Sequence, residues 1–379
     1  MTVVDPTLPV AVDAMGGDNA PAAIVHGALR AVRETDAAVT LVGRREAIEE
    51  ALRSSGTGEL PERLGIVDAR DVIDMNEHPA NAVRAKRDAS IVRTCALVAS
   101  GDASAAVSAG NSGAMLAAAL FTLKRVQGVA RPAIGAAFPT ASGQTFILDV
   151  GANTDCKPEW LAQFALMGNV HARAMLGVEE PRVALLSNGE EAEKGSELVQ
   201  AAHPLIAALP VQFIGNIEGK DLLRGAADVV VTDGFTGNIA LKTAEGVAEF
   251  LFAAIREQVT ASISGKIGGA LLKSKLRPLR DNVDYRKTGG ALLLGIAGEV
   301  VIAHGRSDAE AIVNAIAVAR RAVTSDVSGT IAASIANHPP AEEGGAVNGD
   351  GDVRGARVRR PHLSEEPSEL RSDFPVRQR

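Results

Sequence analysis

The chain has 379 residues, 46% of them hydrophobic and only 3% aromatic, with a formal net charge of −7 at pH 7. This length supports a large core, built either as one α/β domain or as two lobes. The acidic balance and the scarcity of aromatic side chains argue against nucleic acid as a partner.

The start of the chain and its two cysteines, Cys95 and Cys156, indicate in which cellular compartment the protein works. Two cysteines exclude a disulfide framework. The first nine residues lack the basic start and apolar run of a signal peptide. No stretch reaches the roughly 18 apolar residues of a membrane-spanning helix. We therefore expect a soluble cytoplasmic protein.

Short aliphatic runs alternate with helical patterns along the chain, which predicts a mostly parallel sheet in a three-layer α/β/α fold. In chain order, the predicted strands are Pro9–Val12, Val39–Val42, Gly65–Val67, Ala105–Ser108, Ala133–Phe138, Phe146–Asp149, Arg182–Leu186, Val211–Ile214, Val229–Thr232 and Val300–Ala303. The predicted helices are Pro21–Arg33, Ala80–Ser100, Ser112–Val126, Pro158–Met175, Glu190–Ala208, Gly237–Val259 and a last helix from Ser307 or Asp308 to Ala322.

Five of the predicted strands end in clusters of Gly, Asn, Ser and Asp. Ligands of parallel sheets bind outside the carboxyl ends of the strands, where glycines let backbone N–H groups approach an anion. Five such endings predict one shared anion-binding cleft. The endings are Asp13–Asp18, Ser108–Gly113, Asp149–Asn153, Ser187–Glu191 and Thr232–Asn238.

Two segments depart from this pattern, and they set the predicted domain limits. Residues 339–379 are rich in Pro, Gly, Glu and Arg, so we expect a disordered tail behind a catalytic domain of residues 1–338. Near residues 259–280, five basic residues and no acidic one accompany several aliphatic residues between Lys266 and Arg280. This composition predicts a basic amphipathic hairpin.

Several common catalytic motifs are missing from the sequence. There is no Gly-x-x-x-x-Gly-Lys-Ser/Thr loop, no Gly-x-Ser-x-Gly elbow, and no Gly-x-Gly-x-x-Gly after the first strand. The carboxylates show no metal-ligand spacing, so we predict no metal. An ordinary NTPase and an α/β-hydrolase are therefore disfavoured.

The glycine-rich endings together resemble the bacterial phosphate acyltransferase (PlsX) family of phospholipid synthesis. The matching motifs cover roughly residues 9–325 and follow one another in the same order as in the family. A single motif would be weak evidence, whereas seven in this order are specific. They are Val12–Asp18, Ser108–Ala114, Asp149–Asn153, Asn188–Glu191 with Lys194-Gly195, Thr232–Asn238, Gly289–Gly295 and Ala303–Gly305.

The resemblance implies transfer of a long-chain acyl group from acyl-carrier protein to inorganic phosphate, giving acyl phosphate without a cofactor. It also implies a homodimer with a fold like phosphotransacetylase and isopropylmalate dehydrogenase. Members of the family work at the membrane surface and pass their product to a membrane glycerol-phosphate acyltransferase. In phosphotransacetylases, an Arg next to a Ser stands where this chain has His304.

The chemistry of such a transfer agrees with these residue types. Phosphate is anionic at neutral pH and a thiolate is a good leaving group, so the reaction needs little acid or base catalysis. The protein has to hold the two reactants together and to stabilise the oxyanion that forms on the thioester carbon. An acyl-enzyme at Cys156 is the less favoured alternative, because no His lies near it in sequence.

The candidate site residues come from the glycine-rich endings and from one basic helix. The candidate catalytic residues are Asn111, Ser112, Asn238, His304 and Lys86. The candidate substrate-binding residues are Asp13, Gly16, Gly17, Gly110, Gly113, Gly151, Asn153, Asn188, Lys194, Asp233, Gly234 and Gly237. Structural alternatives stay open: a helix cap for Ser112, turns for Asn153 and Asn238, a solvated helix face for Lys86, and an ion pair with Glu190 for Lys194.

The basic hairpin supplies the candidate membrane contacts, since its apolar residues can enter the lipid interface while its basic residues meet anionic headgroups. These contacts are Ile267, Leu271, Leu272, Lys273 and Lys275. Three other functions stay open from the sequence. They are a short-chain phosphotransacetylase that uses coenzyme A, an NAD-dependent dehydrogenase, and a membrane-associated scaffold for lipid enzymes.

Overall fold

A computed structural model describes residues 5–140, 143–282 and 285–338. These residues belong to one compact unit. The predicted disordered tail, residues 339–379, lies outside the described residues.

The strands within these ranges are short and mostly buried. They are β1 (Val10–Asp13), β2 (Val39–Gly43), β3 (Leu64–Asp68), β4 (Ala105–Ser108), β5 (Ala133–Thr140), β6 (Gly143–Leu148), β7 (Arg182–Ser187), β8 (Gln212–Glu218), β9 (Val229–Val231), β10 (Ala291–Leu294) and β11 (Glu299–Ile302).

The helices within the same ranges vary from single turns to a helix of 27 residues. The first seven are α1 (Ala22–Glu34), α2 (Arg45–Ser54), α3 (Pro79–Ala85), α4 (Ser90–Ser100), α5 (Ser112–Thr122), α6 (Pro158–Leu176) and α7 (Glu197–Ala207). The others are α8 (Gly219–Leu222), α9 (Gly234–Thr260), α10 (Ile263–Asn282), α11 (Tyr285–Thr288), α12 (Ala309–Thr324) and α13 (Val327–Asn337).

The strands form one sheet in the order β3-β2-β1-β4-β11-β10-β5-β6-β9-β7-β8. Of the ten neighbouring pairs among the described residues, seven are parallel, which confirms the predicted mostly parallel sheet. The three antiparallel pairs are consecutive, β11-β10-β5-β6. They reverse the strand direction an odd number of times, so the block β3-β2-β1-β4-β11 runs opposite to the block β6-β9-β7-β8.

Both faces of the sheet are covered, because alternate residues of a strand point to opposite sides. Val229 and Val231 of β9 belong to one apolar cluster together with residues of α1, α2, α6, α7, α12 and α13. Val230 belongs to the other cluster, which includes residues of α3, α4, α5 and α9. The three-layer α/β/α prediction is therefore confirmed.

The predicted single helix Ala80–Ser100 is wrong, since α3 and α4 are separated by residues 86–89. The Arg70 N–H donates to Asp88 Oδ2 at 3.2 Å, and the Ser90 N–H donates to the Asp71 carbonyl at 3.0 Å. These bonds hold the segment against residues 70–71 and interrupt the helix.

Other predicted boundaries shift for local reasons. The helix predicted from Glu190 begins at Glu197, because Gly195 has a left-handed φ of 100° and Ser196 accepts a bond from the Val199 N–H. The helix predicted from Gly237 begins at Gly234, where Asp233 accepts the capping bond from the Thr236 N–H.

The hairpin predicted near residues 259–280 is part of a larger pair of helices, α9 and α10, with their turn at residues 261–262. The helices pack closely. A Cβ atom added at Gly269 of α10 would lie 2.4 Å from Val259 Cγ1 of α9.

Candidate active site

A cavity with a volume of about 330 Å³ lies on one face of the sheet, between the start of α5 and the length of α9. That volume is within the usual range of small-molecule sites. Its floor comes from β5, β10 and β11, and loops from both blocks of the sheet complete its wall. The lining includes Ser112, Ile134, Phe138, Gly151, Asn238, Leu241, Lys242, Glu245, Ala248, Ala291, Ile302, His304 and Ser307.

Four residues predicted for the site line this one cavity: Ser112, Gly151, Asn238 and His304. They come from three different strand endings and from the segment after β11. The cavity therefore receives residues from both blocks of the sheet. Ser112 and His304 follow strands of one block, whereas Gly151 and Asn238 follow strands of the other.

The first strand ending supports the cavity from behind rather than lining it. Asp13 is buried, and its carboxylate accepts bonds from Ser108 Oγ at 2.7 Å and the Met15 N–H at 3.1 Å. Burial raises the pKa of this carboxyl, and the hydrogen bonds oppose that rise. A Cβ at Gly16 would lie 2.6 Å from Asp13 Oδ2 and 2.7 Å from the Gly110 nitrogen. The loop after β1 therefore packs against the loop after β4 at Gly16 and Gly110, and only a glycine at position 16 permits this close contact.

Gly17 and Gly113 likewise permit close packing between segments. Gly17 has a φ of 101°, and a Cβ there would lie 3.0 Å from the Gly305 carbonyl oxygen. A Cβ at Gly113 would lie 2.7 Å from Pro79 Cγ at the start of α3. These glycines hold the loop after β1 near the loop after β11, and α3 near α5.

Asn111 caps α5, and both ends of its side chain form hydrogen bonds. Its Oδ1 accepts from the Ala114 N–H at 3.0 Å, and its Nδ2 donates to the carbonyls of Met75 at 3.0 Å and Glu77 at 3.3 Å. The side chain therefore positions the start of α5, where the next residue, Ser112, faces the cavity. Its predicted contact with phosphate stays a prediction.

Lys86 belongs to the same network and is outside the cavity lining. Its Nζ donates to Glu77 Oε1 at 2.6 Å and to the Val72 carbonyl at 2.8 Å. Glu77 is the residue whose carbonyl accepts from Asn111, so one short segment connects the two candidates. Lys86 holds this segment in place.

The loop after β6 is organised by Asp149, a residue that was not among the predicted site residues. Its Oδ1 accepts from the N–H groups of Ile134, Gly151 and Ala152, at 3.0 to 3.1 Å. Its Oδ2 accepts from Asn153, through the backbone N–H at 2.7 Å and through Nδ2 at 2.9 Å. Burial raises the pKa of Asp149, and these bonds oppose that rise.

The start of α9 packs directly on this loop. The Gly234 N–H donates to the Asn153 carbonyl at 2.7 Å, and a Cβ at Gly237 would lie 2.0 Å from the Asp149 carbonyl oxygen. Asp233 caps the helix, accepting from both the N–H and the hydroxyl of Thr236. Asn153, Asp233, Gly234 and Gly237 are thus a scaffold that places Asn238 beside Gly151.

His304 follows β11 and is half-buried at the cavity wall. Its Nδ1 accepts from the Arg306 N–H at 3.1 Å, so the neutral ring carries its proton on Nε2. Burial lowers the pKa of His304, and the nearby Lys242 cation lowers it further. The ring is therefore suited to donating a hydrogen bond at neutral pH.

Lys242 and Glu245 are two cavity residues that the sequence analysis missed. Lys242 Nζ lies 2.7 Å from Glu245 Oε2, and both residues line the cavity on α9. Lys242 follows Asn238 by four residues, a spacing that puts both on one helix face. That spacing was the available signal. The site was instead predicted from the five glycine-rich endings, which lie in loops and at the starts of helices.

Asn188 and Lys194 are exposed on the loop after β7 and are outside the cavity lining. Lys194 packs over the neighbouring loop, since a Cβ at Gly189 would lie 2.7 Å from its Cγ atom. The ion pair considered for Lys194 with Glu190 is not present. Glu190 instead lies 3.8 Å from Lys220 Nζ.

Cys156 is outside the cavity lining, and its environment disfavours a thiolate. Burial, followed by the charge of Asp149, raises the pKa of this thiol to about 12. A nucleophilic cysteine needs the opposite shift. No group of three or more His, Cys, Asp or Glu residues in the described part of the chain is arranged to hold a metal ion.

Comparison with solved structures shows which class of fold the chain has. The chain matches a crystal structure of a phosphotransacetylase from Streptococcus pyogenes with a TM-score of 0.57 and 17% identity, covering 88% of this chain and 96% of that one. The likeness establishes a shared fold, which confirms the phosphotransacetylase part of the fold prediction.

The sequence comparisons then identify the family. Residues 8–330 match the family described as "Fatty acid synthesis protein". A relative named Phosphate acyltransferase from Desulfitobacterium hafniense (strain Y51) is 50% identical over 317 residues, covering 83% of this chain and 94% of the relative. Another of that name from Desulforudis audaxviator (strain MP104C) is 48% identical over 342 residues, covering 90% and 99%. The chain therefore belongs to this family of phosphate acyltransferases, and it is an acyltransferase.

Proposed function

We propose that the enzyme transfers the acyl group of an acyl-[acyl-carrier protein] to inorganic phosphate, releasing acyl phosphate and the free carrier protein. The observation that carries this proposal is the mixed character of the cavity. Polar and charged groups that suit an anion (Ser112, Asn238, Lys242 and His304) share it with an apolar floor that suits a hydrocarbon chain.

In the proposed reaction, a phosphate oxygen attacks the thioester carbon, and the carbon–sulfur bond then breaks. The electron pair of that bond leaves on sulfur as a thiolate, so no protein nucleophile is required. The negative charge that develops on the thioester oxygen is stabilised by hydrogen-bond donors held in place beforehand. We assign this role to His304 Nε2–H, with Ser112 and Asn238 as further donors.

Phosphate itself needs a cation within the cavity, and we assign that role to Lys242. The ammonium now interacts with Glu245, which keeps it at the cavity wall. Phosphate carries more charge than a carboxylate and can attract this side chain by rotation about its flexible stem. Lys86 and Asn111 act in the proposal by holding the start of α5, and therefore Ser112, in place.

The direct test is to incubate the full chain with palmitoyl-[acyl-carrier protein] and phosphate, and to measure acyl phosphate by its reaction with hydroxylamine. We expect product that depends on both reactants. Acetyl-coenzyme A as the donor tests the short-chain phosphotransacetylase alternative. If only that donor gives acyl phosphate, the proposed substrate is wrong. Reduction of NAD by a hydroxy acid, with no acyl phosphate, would point to the dehydrogenase alternative.

We further propose that the enzyme is a cytoplasmic homodimer that binds the membrane surface. No helix within the described ranges combines the length and apolar character needed to span a bilayer. Surface binding is supported by the exposure of aliphatic residues on α10: Ile263 79%, Ile267 60%, Leu271 76% and Leu272 53%. Lys266 and Lys275 are exposed on the same helix. The side chain of Lys273 lies outside the described residues.

A dimer contact is supported by exposed apolar residues on α9. Phe250, Leu251 and Ile255 are exposed by 69%, 51% and 50%, respectively. Large exposed apolar surfaces mark interaction sites more often than free surface. Transfer of the unstable acyl phosphate to a membrane glycerol-phosphate acyltransferase agrees with such a location.

A further inference from the structure

The apolar part of the cavity has a defined floor and roof. Ile134, Ala136 and Phe138 occupy alternate positions of β5, so they share one face of the sheet and form the floor together with Ala291 of β10. Leu241 and Ala248 of α9 form the roof. We call the space between them the apolar chamber.

The roof and the polar groups are on the same helix face. Leu241 follows Asn238 by three residues, Ala248 follows Leu241 by seven, or two turns, and all three residues line the cavity. Ala248 therefore lies about 15 Å along the helix axis from Asn238. The chamber begins beside the groups that act on an acyl carbon and continues along α9, which suits a chain attached to that carbon.

The sizes of the lining residues determine how much chain the chamber holds. The cavity of about 330 Å³ is shared between the polar groups and the apolar chamber. The roof is small at Ala248 and large at Leu241. Both residues are half-buried and face the cavity, so changes there alter its volume directly.

We propose that the acyl chain of the donor lies in the apolar chamber, and that Leu241 and Ala248 of α9 set its preferred length. This inference rests on the proposed function, because it assumes that the acyl carbon reacts beside Asn238 and His304. The occupant is a linear hydrocarbon chain. Ile134, Phe138, Leu241, Ala248 and Ala291 give the chamber apolar walls. Glu245, which lies between Leu241 and Ala248 on α9, forms an ion pair with Lys242.

The test compares kcat/KM for carrier-protein thioesters with acyl chains from four to eighteen carbons. Ala248→Leu adds three carbons to the roof and should shift the optimum to chains shorter by about three carbons. Each methylene transferred from water contributes about a fourfold preference, so the longest chains should lose on the order of 50-fold. Four-carbon chains should be unaffected. Leu241→Ala removes three carbons and should shift the optimum the other way.

Ala253→Leu is the matched control, because Ala253 is exposed on the same helix and is outside the cavity lining. It should leave the chain-length profile unchanged. Equal losses for all chain lengths in Ala248→Leu, with an unshifted profile in Leu241→Ala, would overturn the inference.

A binding measurement separates this inference from the proposed function. A palmitate derivative with a terminal diazirine should, on irradiation, label peptides that contain Phe138 or Ala248. Such labelling with no acyl phosphate from any donor would support the chamber and refute the proposed reaction. Acyl phosphate synthesis with labelling confined to other peptides would refute the chamber alone.

Discussion

A single buried carboxylate, Asp149, holds together the half of the site that contains Gly151 and Asn238. It accepts five hydrogen bonds from N–H donors. In Asp149→Asn, one carboxylate oxygen becomes an NH₂ group that faces donors, and a buried donor without an acceptor costs about 1–3 kcal/mol. We expect this loss in the free energy of unfolding, together with at least a tenfold drop in kcat. Asp155→Asn, an exposed neighbour, is the control. Unchanged kcat in Asp149→Asn would show that the loop does not position the site.

Lys242 is the residue on which the electrostatic part of the proposal depends. Lys242→Met keeps the length of the side chain and removes its charge, so we expect the KM for phosphate to rise by roughly 10-fold to 100-fold. Lys242 also lowers the pKa of His304. Protonation adds an N–H on Nδ1, which faces the Arg306 N–H that it accepts from, so activity should fall as pH drops through that pKa.

The acid limb of the pH–rate profile should therefore move to higher pH in Lys242→Met, because removing the cation lets the pKa of His304 rise. Steady-state kinetics across pH measures both effects. Lys220→Met serves as the control, since Lys220 pairs with Glu218 and is outside the cavity lining. An unmoved acid limb and an unchanged KM would remove Lys242 from the mechanism.

At the scale of elements, α10 carries the exposed aliphatic residues on which membrane binding depends. Replacing Leu271 and Leu272 by Glu puts two anions where apolar groups would enter the lipid interface. We expect flotation with vesicles of anionic lipid to be lost while turnover in solution stays near the parent value. The double variant Leu60→Glu with Ile214→Glu removes comparable exposed residues elsewhere and should still float. Flotation of the α10 variant at the parent level would place the contact on another element.

The docking of α13 should depend on pH through Glu299 at the start of β11. Its Oε1 accepts from the Ser328 N–H at 2.8 Å, and burial raises its pKa from 4.5 to about 7. Because the folded pKa lies above the unfolded one, the free energy of unfolding falls as pH rises from about 4.5 to about 7.

The size of this effect is about 3 kcal/mol across that window. In Glu299→Gln the amide oxygen can still accept from Ser328, and nothing titrates. Urea unfolding at pH 5 and pH 8 should therefore show a smaller decrease for the variant than for the parent. Equal decreases would mean that Glu299 titrates normally.

Some elements could be predicted from the sequence because their signals are local. Most strand and helix cores are readable from aliphatic runs and helical periodicity. The break at residues 86–89 was not readable, because it depends on bonds to residues 70–71 that are distant in sequence. The strand β10 was missed for a related reason. Ala291–Leu294 is a short apolar run after two glycines, and only its pairing with β5 and β11 defines it as a strand.

At the scale of the whole molecule, the order of the strands decides which endings share the site. The strands β4, β6 and β9 flank the central segment β11-β10-β5, whereas β1 and β7 lie one strand further out than β4 and β9. The sequence predicted five endings at one cleft, as a purely parallel sheet would have placed them. In the mixed sheet, residues from three endings line the cavity, at Ser112, Gly151 and Asn238. The ending at Asp13 supports them from behind, and the ending at Ser187 lies on another loop. Pairing between distant strands sets this order, and no local pattern encodes it.

Since the cavity is lined by both blocks of the sheet, phosphate should stabilise the whole fold. A ligand that binds only the folded chain raises stability by about 1.4 kcal/mol at ten times its dissociation constant. For a chain of this size, that corresponds to a rise in Tm of roughly 2 °C. Thermal unfolding in increasing phosphate, against chloride at matched ionic strength, measures the effect.

The contrast among variants locates the bound phosphate. Asn238→Ala with His304→Ala removes one donor from each block and should abolish the rise in Tm. Asn188→Ala with Lys194→Ala changes the exposed loop outside the cavity and should preserve it. If the second pair abolishes the rise and the first does not, phosphate binds at the loop after β7. The cavity between the blocks would then not be the phosphate site.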